Sequence, residues 1–401
     1  MSTFQIQSSA AELKAKAQQL TGITDIADPD IVEPLEKLLP SLNTEAQLSE
    51  VGAAAMEQHL LRILSNRLRL ERDYRNHPEI NEQKITRPLI LVGGGRTGST
   101  KLHQLLAASG DFKYLSFWQA HNPSLRSGDR NESPEERIRD SDEFVQWFNR
   151  RAPRAKTTHP YVTLETEEET HIYEMGSLGF LIFAFAFVPS FMMWYGAQDF
   201  RPQVAYFTRV LKYLQWQFYD EDNDVDTRPW VIKYPGYLGF EDVMREMFPD
   251  GTLVATHRDP ARTLSSSCSL FSTYYPAYSD MNFDQLFGPM MIEGQYARLE
   301  QYMNTVRDNP DLNLLKLSYA ELTKSENAVM EKVYAHAGMP LSDRARAAML
   351  KWTGENALHK HGAHKYSLEQ FGVTRAQTDA RYARYTQEFG QYFSDNSASH
   401  L

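Results

Sequence analysis

A single cysteine, Cys268, rules out an internal disulfide, and no CxxC or Cys/His array is present to frame a zinc site. A reducing compartment, the cytoplasm, is the expected setting. Positive charge is also short, since 42 Lys and Arg against 52 Asp and Glu give a formal charge of −10. General affinity for nucleic acid or an anionic membrane surface is therefore not expected, and an anionic ligand must be met by a local cluster of cations. Residues 1–20 contain no hydrophobic stretch of the secretory type. Long apolar runs are scarce, with one exception from Met175 to Gln198, 24 residues without a charge. That length could cross a bilayer of about 30 Å. Pro189 interrupts it and its flanks, Glu174 and Asp199, are acidic rather than basic, so it reads as a core or pocket wall and no membrane span is expected.

What is present points first to an anion. Leu89 to Val92 reads as a short buried strand, Gly93-Gly94-Gly95-Arg96-Thr97-Gly98 as a loop, and Ser99 to Leu106 as a helix start with Leu102, Leu105 and Leu106 on one face. A glycine-rich turn feeding a helix N-terminus lets backbone N–H groups approach a phosphate-like anion, and the helix dipole adds partial positive charge. The Walker pattern places a lysine directly after its last glycine. Here Gly93 and Gly98 have the Walker separation, but Ser99 occupies the lysine position and the cation lies inside the loop as Arg96.

Residues 10–80 are helical in character, with breaks expected at Asp28-Pro29-Asp30 and at Pro40 to Asn43, and they read as accessory scaffold or a contact between copies. A second strand is expected over Asp111 to Trp118, and a short helix over Ser141 to Arg150. His159, Glu165, Glu167, Glu168, Glu169 and His171 then precede the apolar wall. An ionisable group beside an apolar pocket can serve as a base, although an acidic run also suits a helix N-terminus. Tyr206 to Phe218 reads as a packed helix. Further strands are expected at Trp230 to Lys233, Leu253 to Thr256 and Leu312 to Leu317, with helices at Phe240 to Phe248 and Glu326 to Ala337.

Lys233 and Arg258 each close a strand, the position where open α/β sheets place ligand groups. Asp259 and Pro260 suit a helix start, and Ser266 lies on that helix, so Arg258 and Ser266 could converge on one phosphate. The basic stretch Leu358 to Lys365 matches no metal signature and reads as facing an anion. Alternation of strands and helices from 88 to 340 predicts an α/β fold with a mainly parallel central sheet and helices on both faces, preceded by a helical N-terminal segment. The expected division is 1–85 and 86–401.

Together these pieces resemble the sulfotransferase superfamily that uses 3′-phosphoadenosine 5′-phosphosulfate (PAPS), in particular its bacterial-type soluble branch, over roughly residues 85–390. The family's first loop reads Val-Gly-x-Pro-Arg-Thr-Gly-Thr-Thr, and here Val92 to Thr100 matches it with Gly95 in place of proline. The resemblance implies that Gly95, Arg96, Thr97, Gly98, Ser99 and Thr100 bind the 5′-phosphosulfate. It implies that Arg258 and Ser266, eight residues apart in a segment opening His257-Arg258-Asp259-Pro260, bind the 3′-phosphate. Lys360-His361-Gly362 would contribute to the same end, and Tyr366 to Gly372 also matches the branch.

The resemblance further implies a P-loop-like three-layer fold and an enzyme moving a sulfuryl group from PAPS to a hydroxyl of a small, fairly apolar acceptor, such as a steroid, phenol, polyketide or fatty alcohol, without a metal. Arg96 and Lys233 would stabilise charge on the departing phosphate. Many eukaryotic members carry Lys-Thr-His with the histidine as base, whereas this chain has Lys233-Tyr234-Pro235. The base is therefore expected to be Glu168 or Glu167, with His159 next. Trp118-Gln119 also departs from the branch's Trp-Glu. Two rival readings stand beside this one: a P-loop kinase acting on a small molecule, and a catalytically silent protein of the same fold that binds a partner, another copy included, through its N-terminal helices.

Overall fold

Four apolar residues in a row, Leu89 to Val92, cannot leave either face of a strand in water, and in the computed structural model they form a strand buried at every position. The structure describes residues 3–28, 30–221, 224–356 and 366–393. In chain order its strands are β1 (Leu89–Val92), β2 (Asp220–Glu221), β3 (Asp224–Val225), β4 (Val231–Lys233), β5 (Thr252–His257) and β6 (Leu314–Ser318). β2 and β3 form a small antiparallel pair, while the main sheet has the order β4-β1-β5-β6 with every pairing parallel. The fold is α/β, as expected.

The chain divides into two compact units. The unit holding the main sheet comprises Thr86–Tyr114, Arg228–Ser272 and Phe283–Leu401. Parallel strands require crossover helices, so both faces of such a sheet are covered. Leu89, Leu91, Val231, Val254 and Leu317 pack with Leu102, Leu105 and Leu106 of the helix Ser99–Ala108 and with Val329, Met330 and Val333 of the helix Glu326–His336. Ile90, Ile232 and Leu253 occupy the alternate positions and are equally buried. In the register, Leu91 is level with Lys233 and Val92 with Ala255, so β5 continues beyond β1 by Thr256 and His257.

The other unit, Met1–Ile85 with Leu115–Thr227 and Thr273–Asn282, is mainly helical. Ser9 and Glu12 form a capping box at the start of the helix Ala10–Thr21, and Gly22, at φ +70°, closes it. The longest helix, Glu50–Asn76, is capped by Ser49, whose hydroxyl accepts the Gly52 N–H, and it buries Met56, Leu60, Ile63 and Leu64. Arg67 on the same helix is also buried, but its charge is matched: Nε donates to Asp28 Oδ2 at 2.6 Å and Nη1 to the Met175 carbonyl at 2.5 Å. A buried cation without such partners would destabilise the fold.

Three local expectations are corrected. Pro40 lies inside the helix Val32–Thr44 rather than at a break, because burial of Leu38, Leu39 and Leu42 on either side holds the helix together. Asp111 to Trp118 is not a strand. Lys113 and Ser116 form only isolated bridges, to Trp230 and to Thr166, and a capping box between Ser116 and Gln119 starts the short helix Phe117–His121. The capping role of Gln119 accounts locally for that side chain. Finally, the helix expected at 141–150 is longer, Glu135–Arg151.

The uncharged stretch forms Phe180–Phe185 and Pro189–Gly196 after the end of Thr170–Ser177, interrupted by Leu178 at φ +56° and by Pro189. Among the described residues no helix is long and apolar enough to cross a membrane. A Cβ placed on Gly52 would stand 1.8 Å from the Tyr278 carbonyl oxygen, which also accepts the Ser49 N–H at 3.0 Å. Gly52→Ala is therefore expected to destabilise the protein by roughly 1–3 kcal/mol, the usual range for forced overpacking. An unchanged urea midpoint would contradict this close approach.

Candidate active site

Parallel register decides which residues meet in the sheet unit. Lys233 closes β4, the loop from Gly93 to Gly98 leaves β1 and Arg258 leaves β5, so all three lie at the carboxyl end of one sheet. Because β5 overruns β1, the Thr256 hydroxyl reaches Thr97 Oγ1 at 2.6 Å, and Thr97 in turn donates to the Gly94 carbonyl at 2.7 Å. A Cβ on Gly93 would lie 2.6 Å from the Thr256 hydroxyl. At Gly98, where φ is +90°, a Cβ would lie 2.8 Å from the Tyr319 ring. Packing alone thus demands glycine at both ends of the loop.

Arg96 adopts a left-handed φ of +68°. For a residue other than glycine this costs about 1–3 kcal/mol, and such strain persists only where surrounding contacts hold it. The contacts are present: Arg258 Nη1 donates to the Arg96 carbonyl at 2.9 Å, and Arg96 Nε donates to Ser266 Oγ at 2.9 Å. Arg258 also lies over the Tyr319 ring, 4.1 Å from its centroid. Its buried Nε has no hydrogen-bond partner among the described residues. An oxyanion would satisfy that N–H. Thr97 and Ser99 are buried, Thr100 sits in the first turn of the helix beginning at Ser99, and Lys233 is 2% exposed. The first turn of any helix presents N–H groups without intrahelical partners.

The structure therefore gathers Gly95, Arg96, Thr97, Gly98, Ser99, Thr100, Arg258 and Ser266 around one strand-loop-helix junction, with Lys233 at the same sheet end. Lys360, His361 and Gly362 lie outside the described residues. Sequence reasoning missed Thr256 and Tyr319. Thr256 could have been noted from its place just before His257-Arg258. Tyr319 has no local signal, since it reaches Arg258 only through the pairing of His257 with Ser318.

In the helical unit, the residues Glu165 to Glu167 run beside Leu115 to Phe117: the Phe117 N–H donates to the Glu165 carbonyl and the Glu167 N–H to the Leu115 carbonyl, both at 2.9 Å. This fixes the acidic segment. His159 Nε2 lies 3.1 and 3.3 Å from the two oxygens of Glu167, and Glu167 Oε1 also accepts the Glu168 N–H at 2.9 Å. One donor atom from each of His159, Glu167 and Glu168 falls within 4.8 Å of the others. Glu167 and Glu168 are buried and His159 is half-buried, and the structure brings these three side chains named from the sequence into one cluster.

A second polar cluster in this unit was not foreseen beyond His171. Glu174 is fully buried, with Oε2 2.7 Å from His59 Nε2 and Oε1 bonded to Arg62 and to His171 Nδ1. Burial alone would raise the Glu174 carboxyl, but the attraction of His59 and Arg62 and the imidazole hydrogen bonds hold it well below the usual carboxylate range. Burial drives His59 down, and it drives His121 further down with help from the Arg62 charge.

The chain belongs to the sulfotransferase family, whose model matches residues 88–343. No curated protein sequence matches it. Among solved structures, the sulfotransferase STF1 from Mycobacterium tuberculosis is 26% identical, with a TM-score of 0.76 over 95% of this chain and 100% of that one. The sulfotransferase STF9 from Mycobacterium avium is 21% identical, with a TM-score of 0.81 over 97% of this chain and 98% of that one, a likeness of fold. Family and fold together support sulfuryl transfer as the reaction.

The buried histidines set a pH dependence. His59 and His121 resist protonation when folded but accept it near pH 6.5 when unfolded, so the unfolded state binds more protons and stability falls as pH drops below roughly 6.5. Glu174 adds to the loss further down, since its stabilisation is present above its unfolded value of about 4.3 and disappears as the pH falls below that. Urea midpoints are expected to decrease from pH 7.5 to 6 to 5, and a rising series would refute this assignment of charge.

Proposed function

We propose that this sulfotransferase takes its sulfuryl group from PAPS and passes it to the hydroxyl of a small, fairly apolar acceptor. The observation that carries the reading is the hydrogen-bonded set Arg258, Arg96 and Ser266 beside a glycine-rich loop. These are the residues that the family resemblance assigns to the two phosphate ends of the donor. The residues fit such a group: two cations, a serine hydroxyl, a buried arginine N–H without a partner among the described residues and a helix start form a local cationic site on an overall anionic protein that offers little general attraction.

PAPS supplies an activated SO₃ group on a phosphate, and the rest falls to the chain. Arg96 and the backbone N–H groups from Gly95 to Thr100 hold the 5′ end, and Arg258 and Ser266 hold the 3′-phosphate. Lys233 offsets the negative charge that develops on the leaving phosphate, which is most effective from a buried position. Glu168 or Glu167, with His159 next, receives the proton of the acceptor hydroxyl. The reaction resembles phosphoryl transfer, in which positioning and electrostatics supply most of the rate.

An apolar acceptor is supported by the aromatic content of Phe180 to Tyr195, where Leu181, Ile182, Phe183, Phe185 and Phe191 are buried. The buried, single Cys268 suits a reducing cytoplasm. One imidazole and two carboxylates could also hold a divalent cation. We assign them to proton transfer, so turnover is expected to persist in EDTA.

Incubation with labelled PAPS and a panel of phenols, sterols and long-chain alcohols tests the reading directly. Adenosine 3′,5′-bisphosphate should stabilise the protein by about 2.7 kcal/mol at a hundredfold excess over its dissociation constant. Stabilisation by Mg-ATP instead would favour a kinase, and by neither a silent scaffold. Arg258→Ala should weaken bisphosphate binding roughly tenfold to a hundredfold, as expected for charged hydrogen bonds. Glu168→Gln should lower turnover by about 10²–10⁴ while sparing that affinity. Equal loss of nucleotide affinity in both variants would overturn the roles given to them.

A further inference from the structure

Arg258 is flanked by two residues whose side chains point away from the loop and into the C-terminal part of the sheet unit. His257, 1% exposed, has Nδ1 2.7 Å from the Tyr385 hydroxyl and Nε2 3.1 Å from the Tyr302 hydroxyl. Its ring lies nearly parallel to Phe389, with centroids 5.1 Å apart and an interplanar angle of 15°, and stacks at 5.0 Å on Tyr392. Burial, and then the charge on Lys316, pushes this imidazole down to about 3, so it is neutral and carries one N–H and one lone pair. Two tyrosine hydroxyls, each able to donate or accept, satisfy both. On the other side, Asp259 Oδ1 accepts the Ala261 N–H at 2.9 Å and Oδ2 accepts Arg375 Nη1 at 3.0 Å. Arg375 opens the helix Arg375–Arg381, and Tyr385 belongs to the next one, Ala383–Phe389.

From this arrangement we infer that the C-terminal helices Arg375–Arg381 and Ala383–Phe389 are a positioning clamp for Arg258, so that recognition of the donor's 3′-phosphate depends on residues more than a hundred positions further along the chain. The inference rests on the 3′-phosphate role proposed for Arg258. The side chain of Arg258 is placed by Tyr319 and by the Arg96 carbonyl, but both contacts require its backbone to leave β5 at the observed height. That height is set on one side by a buried imidazole bonded and stacked on the C-terminal helix, and on the other by a carboxylate that caps one helix and is paired with the first residue of another. His257, Asp259, Tyr385 and Arg375 are thus positioning residues. None of them is placed against the donor.

A clamp that acts through Arg258 affects ligands bearing a 3′-phosphate and spares those without one. The test measures, on the full chain, the affinities of adenosine 3′,5′-bisphosphate and of adenosine 5′-monophosphate, and takes their ratio. Three variants are compared with the parent: Arg258→Ala, Tyr385→Phe, which removes the hydroxyl on His257, and Arg375→Gln, which changes a side chain 45% exposed and so does not threaten folding. Tyr385→Phe and Arg375→Gln are each expected to weaken bisphosphate binding by roughly twofold to tenfold, the range of a single hydrogen bond, and to leave the monophosphate unchanged. Should Tyr385→Phe fail to fold, Arg375→Gln carries the test. If Arg258→Ala collapses the ratio and neither clamp variant lowers it, the clamp is refuted while the role of Arg258 stands. An equal weakening of both ligands by the clamp variants means general loosening and also refutes it. A ratio that survives even Arg258→Ala removes the 3′-phosphate role itself, and the clamp falls with it.

Discussion

The guanidinium of Arg258 donates to the carbonyl of Arg96 at 2.9 Å, and much of the order at the carboxyl end of the sheet depends on that contact. Arg96 is held in a conformation that an ordinary residue avoids. Its carbonyl is turned to the end of the neighbouring strand, and its side chain is left to reach Ser266. One arginine therefore fixes the backbone of another, and a positive pair is tolerated because each guanidinium has its own neutral acceptor. Tyr319 supplies Arg258 with an aromatic face at the same time. A lysine at position 258 could not do this, since it lacks the planar fork that serves a carbonyl and a ring together.

The helical unit handles polar groups differently. Its buried charges are closed on themselves: Arg67 on Asp28, and Arg62 on Glu174, which is also hydrogen-bonded to the His59 and His171 rings. Each carboxylate there has more than one donor, which is what allows it to remain charged away from water. The cluster of His159, Glu167 and Glu168 is less enclosed, because His159 is half-buried. That contrast separates charges locked into the packing from a cluster that keeps one edge open.

Much of this was legible along the chain. The apolar quartet Leu89 to Val92, the loop after it and the strand ending in Arg258 announce themselves by composition, and parallel pairing follows from alternation of strands with helices. Lys233 could be placed because its strand is short, apolar and stopped by proline. Legibility failed where a side chain outweighed a pattern. Asp111 to Trp118 alternates like a strand, yet Ser116 and Gln119 cap a helix there. Pro40 signals a break, yet its buried leucine neighbours keep the helix. Glu174 with His59, and Arg258 with Tyr319, are joined only by tertiary structure, so no spacing in the sequence could reveal them.

The overrun of β5 past β1 has a consequence for how this chain can change. Thr256 sits where it does because its strand is longer, and Gly93 is bare because the Thr256 hydroxyl occupies the space a side chain would need. The two positions behave as a single volume shared between neighbouring strands. A methyl group can enter at 93 only if the hydroxyl at 256 leaves, and with it goes the bond that ties Thr97 to the sheet. The order is fixed: the hydroxyl at 256 can be lost with glycine kept at 93, whereas a side chain at 93 needs that loss first and still meets the Thr256 backbone at 3.3 Å.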